Sequence, residues 1–517
     1  MHIGIDLGTT FCCVAYINEG IPQVIPDNRG RQLTPSVIWF NGKTAYVGEE
    51  ANKKKITAYD PIYEFFKRDM GRPVEDMPGK AEKAPYLVDG IKYGAVGMSA
   101  ILLRKLKRDT WQYFKKNKII EESVKENEFV VDTIITIPAY FGDEERQATK
   151  TAGELAGLNV IGIVNEPTAA ALTYGISVNE NKKIMVFDLG GGTLDVTVLD
   201  IINGDFHNFY KAKASDGNVQ LGGKDWDDII IKYLKTEFKK IAGTEIQDER
   251  FYDIQQLAIQ AKKDLSEQTE TTVYISDNGF DAEIKLYRSG EKKDRMSIDI
   301  DDESMEAFFF DERCTDLLSA CSSRCLNVLE ELKLTWYDID EIVLAGGSSR
   351  MPMITEMLEK LSDKKIKKHR EGFSYDTAIA IGAAIYGQSK GRIEDVTPKS
   401  IGIKLINNNQ QFYIDHLIYK NTPLPAKAGK QYKTDPYAIL EVYEGESKDP
   451  LECNFRGKLE LENTGQSAAI VLQVDENGIL KVLADYQPEG SKETKIRGSN
   501  SLPEYLSEKI QTITIIS

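Results

Sequence analysis

The chain has 517 residues, of which 41% are hydrophobic and 28% charged, an ordinary balance for a soluble globular protein of two to four domains. Its formal net charge of −16 argues against nucleic acid and anionic membrane surfaces as partners. No apolar run has the length of a membrane helix, and Met1 leads straight into a strand pattern, without a signal peptide. A cytoplasmic location is therefore the expectation. Six cysteines contain no Cys-x-x-Cys spacing, so core packing in a reducing compartment is favoured for them. His2, His207, His369 and His416 are scattered and give no zinc spacing.

Taken in order, the chain opens with Gly4-Ile-Asp-Leu-Gly-Thr-Thr10, which reads as strand, Asp, Gly, Thr, then the strand-like Phe11-Cys-Cys-Val-Ala15. Asn28 to Pro35 is a loop. Pro61 to Arg72 carries Lys67 and Arg68 beside Phe65 and Phe66. By spacing alone this is better read as a solvated basic pair than as a phosphate contact. Ser99 to Asn117 is a helix and Phe129 to Ile137 a buried strand. Pro138-Ala-Tyr-Phe141 leads into a helix over Glu144 to Leu155, capped by Gly142 and Asp143 and closed by Gly157. Val160 to Val164 is a strand. In the following Asn165-Glu-Pro-Thr-Ala-Ala-Ala171, Pro167 suits a first helical turn. Glu166 then sits at a helix start, where binding a hydrated cation and simple capping are equally supported.

The stretch Asp188-Leu-Gly-Gly-Gly-Thr-Leu-Asp195 lies between the strand patterns Lys183 to Phe187 and Val196 to Asp200. Three adjacent glycines let backbone N–H groups approach an anion. Asp188 and Asp195 oppose bare phosphate, but suit a cation held between carboxylate and phosphate. Alone, the stretch fits a tight turn with solvated acids equally well. The same grammar at residues 4–10, roughly 180 residues earlier, tips the balance toward two related lobes whose hairpins grip one polyphosphate and its metal. Gly217 to Lys224 lacks the Ser/Thr of a Walker A loop, and a Rossmann Gly-x-Gly-x-x-Gly is missing.

Asp225 to Lys240 and Asp253 to Ser266 read as helices, the second with Lys262, Lys263 and Ser266. A charged, stranded stretch reaches about Ile300, followed by a helix from Asp302 to Leu332. Ile342 to Arg350 is strand into glycine turn, with Pro352 just inside the next helix, a form suited to a nucleoside. Thr377 to Gly387 is a small-residue helix. Polar, glycine-punctuated Gly387 to Glu394 marks a domain boundary. Beyond it, short alternating runs at Ser400–Ile406, Gln411–Tyr419, Ala438–Tyr443, Ala468–Val474 and Ile479–Ala484 indicate an all-β sandwich or barrel. Leu502 to Ile510 suits one short helix.

These motifs, together with Arg146-Gln-Ala-Thr-Lys150, Ala156-Gly-Leu-Asn159 and Gly346-Gly-Ser-Ser-Arg350, make the chain resemble the heat-shock 70 kDa (DnaK-type) chaperone family over almost its whole length. Each motif is weak alone; six in order are specific. The resemblance implies an α/β fold with a two-lobed actin-like ATPase domain over 1–387 and an interdomain linker over 388–396. It places an all-β sandwich substrate-binding domain at 397–490 and a short segment with a vestigial lid helix at 491–517.

It also implies ATP hydrolysis to ADP and phosphate with Mg2+, K+ as a further cation, and extended apolar peptides as substrate. Gly8, Thr9, Thr10, Gly190, Gly191, Gly192 and Thr193 would contact phosphates. Asp6, Glu166 and Asp188 would hold the waters around Mg2+, and Asp6 and Asp195 would neighbour monovalent cations. Lys67 matches the lysine that orients the attacking water, so Lys67, Glu166, Asp188 and Thr193 form the implied catalytic set. Gly346, Gly347, Ser348, Arg350 and Asp376 would line the nucleoside, with Lys262, Lys263 and Ser266 across the cleft. Pro138 and Arg146 match positions that relay nucleotide state.

Some positions depart from the family pattern. Ile259 stands where an acid is usual. Gly162 replaces a basic residue useful for docking a J-domain co-chaperone; a nucleotide exchange factor is the other implied protein partner. The linker Arg392-Ile-Glu394 is polar where leucines are usual, retaining Asp395 and Val396, which implies weak docking on the ATPase domain. The arch loop at Thr434 to Ala438 is short and the helical lid nearly absent. Ile406, Tyr432 and Ala438 align with the peptide groove; without the resemblance they are better read as core. A small-molecule kinase would need an acceptor pocket with its own base, and a non-catalytic adaptor would not need Lys67, Glu166, Asp188 and Thr193 together.

Overall fold

The structure, a computed structural model, describes residues 2–56, 62–72, 86–88, 90–175, 178–204, 208–277, 279–289, 309–366, 374–388, 393–407, 409–434, 437–462, 467–486, 490–495 and 510–517. Two mixed sheets are built on the same plan, each from an antiparallel hairpin flanked by parallel strands. In the first, His2–Asp6 pairs antiparallel with Phe11–Asn18 and parallel with Asp132–Ile137, which pairs parallel with Asn159–Asn165. In the second, Lys182–Leu189 pairs antiparallel with Leu194–Ile202 and parallel with Glu341–Ala345. The registers are equivalent: Asp6 stands opposite Cys13, and Asp188 opposite Asp195.

Two helices of small residues, Glu166–Gly175 and Ala378–Gln388, pack against each other, the second also lying on His2–Asp6 and the first on Leu194–Ile202. A β-carbon at Gly382 would sit 1.8 Å from the Ala169 carbonyl oxygen, so this crossing requires glycine.

Beyond these sheets, two four-stranded antiparallel sheets share one core. Ile401, Ile403, Leu440 and Val442 come from one, and Ala468, Ile470, Leu472 and Val482 from the other. Alternation along each strand sends these side chains inward and their neighbours out. Ile403 pairs with Val442 and both are buried. Ala438, four residues from Val442, therefore faces the core, as does partly buried Tyr432. Ile406, three residues from Ile403, points outward and is 57% exposed. The expected grouping of Ile406, Tyr432 and Ala438 in one slot is thus corrected: strand parity puts Ile406 on the opposite face from Ala438.

The linker also differs from its expectation. Residues 389–392 lie outside the described part, but Ile393–Glu394 forms a strand parallel to Tyr210 and Lys211 at the edge of the second mixed sheet. Backbone pairing needs no leucine side chains. Just beyond, the half-buried Asp395 accepts hydrogen bonds at its carboxylate from Asn165 Nδ2 (2.7 Å) and Thr168 Oγ1 (3.3 Å). Arg146 donates to Asn165 Oδ1 (2.7 Å) and to the Asn477 carbonyl (3.2 Å), and Asn477 Oδ1 accepts from the Ile163 N–H. Asp143 accepts from the Leu480 N–H at 2.7 Å. Arg456 reaches Glu144 at 2.6 Å while also pairing with Glu444.

In segment 491–517, residues 510–512 are helical, at the end of the expected helix, and two strands accompany them. Gly490–Lys495 is a strand of the antiparallel sheets, and Thr514–Ile516 pairs parallel with Thr44–Val47 beside the first mixed sheet. Of the expected helix Leu502–Ile510, only Ile510 is described, as are only residues 309–332 of the expected helix Asp302–Leu332. There, Phe310–Arg313 and Thr315–Glu331 are separate helices broken at Cys314. Residues 435–436 of the arch loop, His207 and His369 also lie outside the described residues. All six cysteines are free, and all but the half-buried Cys453 are buried.

Candidate functional site

The two glycine turns face each other. A β-carbon placed on Gly191 would lie 1.7 Å from Thr10 Oγ1, and one on Gly192 would lie 2.3 Å from Thr9 Cγ2. Only glycine leaves space between the hairpins. Each turn is braced from behind. Ser36 Oγ donates to the Gly8 carbonyl at 2.7 Å. The Gly223 and Lys224 N–H groups, at the start of helix Gly223–Ala242, donate to the Gly190 and Gly191 carbonyls at 3.0 and 2.9 Å. Thr193 is buried, and its carbonyl accepts from the Gly190 N–H.

Lys67 lies on a 3-10 turn, Phe66–Asp69, entered through Phe65 in the left-handed region at φ 59. This turn buries the ammonium, whose Nζ donates to Glu166 Oε1 at 2.5 Å. The solvated-pair reading of Lys67 therefore fails. Burial opposes its charge, but Glu166 and Asp6 outweigh that and hold the ammonium above its usual pKa. Its neighbour Arg68 donates to the Gly192 carbonyl (2.8 Å) and pairs with Asp225 (2.7 Å), spanning the mouth between the two halves.

Four carboxylates converge electrostatically on this centre. Burial first, then Glu166, pushes Asp6 and Asp195 up to about 7 and Asp188 well above the ordinary range. Thr136 Oγ1 donates to Asp6 (3.3 Å) and the Tyr140 N–H to Asp195 (3.2 Å). Asp188 Oδ2, Asp195 Oδ2 and Thr10 Oγ1 are buried without a hydrogen-bond partner. Buried acids left unsatisfied around a glycine cradle fit a hydrated cation and a polyphosphate. Among the described residues no three acids or other metal-ligating side chains converge to bind an ion directly.

The Gly346 turn abuts this centre. Its β-carbon would lie 2.4 Å from Asp188 Oδ1, and Ser349 Oγ accepts from the Leu189 N–H, tying the turn to the second hairpin. Around it, Gly347 lies beside Arg350 and Asp376, which form a bidentate pair at 2.7 Å for both bonds. The guanidinium of Arg350 also stacks 5.1 Å from the Tyr375 ring centroid. A β-carbon on Gly223 would meet Ser348 Oγ and Lys262 Nζ, so Ser348 and Lys262 face one another there. Lys262 is paired with Asp227 at 2.8 Å. Ser266 donates back to the Lys262 carbonyl, while Lys263 is exposed on the same helix. Among the described contacts, neither Lys263 nor Ser266 of the expected set reaches this centre.

A family model described as Hsp70 protein matches residues 2–513. The chain belongs to the Hsp70 family. Hsp70 membership carries ATP-dependent chaperone function in general: ATP binding, ATP hydrolysis, a divalent metal, unfolded peptides and co-chaperones. In this Hsp70, sequence reasoning missed Thr136, Asp225 and Tyr375. Each belongs to the site only through a contact with a residue distant in sequence, or through stacking that residue type does not announce. No helix among the described residues is long and apolar enough to cross a membrane.

Proposed function

We propose that this Hsp70-family chain is a Mg2+-dependent ATP hydrolase, the two mixed sheets being the lobes of an actin-like ATPase and the antiparallel sheets a domain that binds extended apolar peptide. The single observation that carries the reading is the opposed pair Thr9/Thr10 and Gly191/Gly192, accompanied by half-buried Asp6 and buried Glu166, Asp188 and Asp195. Phosphoryl transfer depends on positioning and charge neutralisation rather than covalent help from the protein. When bound, Mg2+ would supply the neutralisation of phosphate charge, its waters held by Asp6, Glu166 and Asp188. The glycine turns and Thr9, Thr10 and Thr193 bind the phosphates. Lys67, fixed by Glu166, orients the attacking water. Gly346, Gly347, Ser348, Arg350, Asp376 and Lys262 hold the nucleoside, and Asp6 and Asp195 would neighbour K+ when it is bound.

Lys263 and Ser266 take no part in this reading beyond their helix. A kinase reading is less supported, because every buried acid of the centre is used by the metal role. Single-turnover hydrolysis of ATP, with and without Mg2+ and with and without an extended apolar heptapeptide, tests the proposal. Mg2+-dependent turnover altered by peptide is expected; turnover that ignores Mg2+ overturns the metal role, and turnover blind to peptide overturns the coupling to the antiparallel domain.

A further inference from the structure

The Thr514–Ile516 strand adds to the edge of Thr44–Val47, in the sheet that also contains Val37–Asn41 and Ile62–Glu64. The pairing is parallel, with Ile515 opposite Ala45 and Ile516 opposite Tyr46. Ile510, Ile513 and Ile515 are buried in the core of the first lobe, while Thr514 and Ile516 point to solvent. Two arginines one turn apart on helix Gly94–Lys116 hold the backbone. Arg104 Nη1 donates to the carbonyls of Ile510 (2.7 Å) and Ile513 (2.8 Å). Arg108 donates to the Ile515 carbonyl (2.9 Å) and to Ser517 Oγ (2.6 Å). Neither arginine takes part in the nucleotide site.

These are the parts of a strand-addition site: a sheet edge for main-chain pairing, pockets for alternate side chains, and fixed donors for carbonyls. We propose that the Thr44–Val47 edge, with Arg104 and Arg108, is a separable strand-addition site on the first lobe. Its ligand is a segment that runs extended from residue 513 with Ile513 and Ile515 turned inward, supplied in cis by residues 510–517, of which 510–512 form a helical turn. Filling it gives the antiparallel domain, whose last described strand is Gly490–Lys495, a second and non-covalent attachment to that lobe. The sheet does not depend on the added strand, because Val37–Asn41 pairs with both Thr44–Val47 and Ile62–Glu64 independently of it. From Lys495 to Ile510 the chain can span at most about 50 Å when fully extended. The attachment therefore limits how far the two parts separate while the strand is seated, and raises the local concentration of each for the other.

The test uses the full chain, a chain stopped after residue 509, and a fluorescent peptide of residues 508–517. The shortened chain is expected to bind the peptide saturably and the full chain at least tenfold more weakly, its site being filled. A peptide carrying Ile513→Asp and Ile515→Asp should not bind, and Arg104→Gln with Arg108→Gln in the shortened chain should cost at least tenfold. Equal binding to both chains, binding of the substituted peptide, or no binding to the shortened chain overturns the site. Should the shortened chain fail to fold, Arg104→Gln with Arg108→Gln in the full chain is read by hydrogen exchange. Faster deuterium uptake at 513–516 and 44–46 is expected, and unchanged uptake overturns the proposal. The attachment is read by cutting a protease site inserted between 496 and 509. Faster exchange is expected at the N–H groups of Ile163 and Leu480, which are bonded across the domain contact; unchanged exchange there overturns it.

Discussion

Lys67 Nζ lies 2.5 Å from Glu166 Oε1, both side chains almost fully buried, so the cation of one segment is positioned by the first residue of a helix from another. The pair makes Lys67 a fixed donor rather than a mobile surface charge. Lys67→Ala is expected to slow single-turnover ATP hydrolysis about 100-fold or more, the scale for losing one preorganised donor, with ATP affinity changed only a few-fold. Unchanged turnover would remove the lysine from the reaction.

Asp188→Asn keeps the shape of the second hairpin and deletes one negative charge. ATP affinity with Mg2+ should fall by about tenfold, and affinity in chelator much less, because a carboxylate holds the ion's waters but repels bare phosphate. Titration calorimetry with and without Mg2+ separates the two, and equal losses would reduce Asp188 to a turn residue.

Docking of the antiparallel domain should weaken as pH rises toward neutrality. Burial against that domain, opposed by the Leu480 N–H and reinforced by Glu444, lifts Asp143 from 3.8 to about 7. The docked form therefore binds a proton that the undocked form releases, so docking is favoured below about pH 7 and loses strength as pH climbs through the window between the two values, levelling off above it. Arg456 and Glu144 also face this carboxyl. Asp143→Asn should flatten the dependence and leave docking at pH 8 stronger than in the natural chain. Interdomain FRET from pH 5.5 to 8 is the measurement; a profile unaffected by the substitution assigns the pH effect elsewhere.

Arg456 should matter for stability as well as docking, because it is buried between Glu444 of its own sheet and Glu144 of the helix Asp143–Leu155. Arg456→Leu leaves Glu444 buried and unpaired, and breaking one side of such a pair costs about 3–5 kcal/mol. Adding Glu444→Gln should recover much of that loss, whereas Glu144→Gln alone should loosen docking with little effect on urea unfolding of the antiparallel domain. No recovery in the double variant would mean that the ion pair is not what Arg456 contributes.

What the sequence made legible was whatever its local chemistry demands. Two Asp-Leu-Gly…Thr turns between strand patterns led directly to opposed hairpins, because glycine, carboxylate and hydroxyl at those spacings leave few other uses. Lys67 was not legible from spacing, since its burial depends on the left-handed Phe65 and on a partner 99 residues away. The linker was misread because polarity describes side chains, while Ile393 and Glu394 attach through the backbone. Ile406 and Ala438 were grouped wrongly because their faces depend on the Ile403–Val442 register, which alternation within one strand does not determine. The Thr514–Ile516 strand is too short for any periodicity to reveal.

Arg68 has a consequence for timing. Its guanidinium joins the Gly192 carbonyl and Asp225 from the opposite side of the mouth, so the gap between the halves is already bridged by protein before any nucleotide contributes a contact. Because the Gly190 and Gly191 carbonyls are bonded to the helix that begins at Gly223, the second hairpin and that helix shift as one piece. On the proposed function, any widening of the mouth that lets ADP leave would have to break both Arg68 bonds, which ties this arginine to the departure of product.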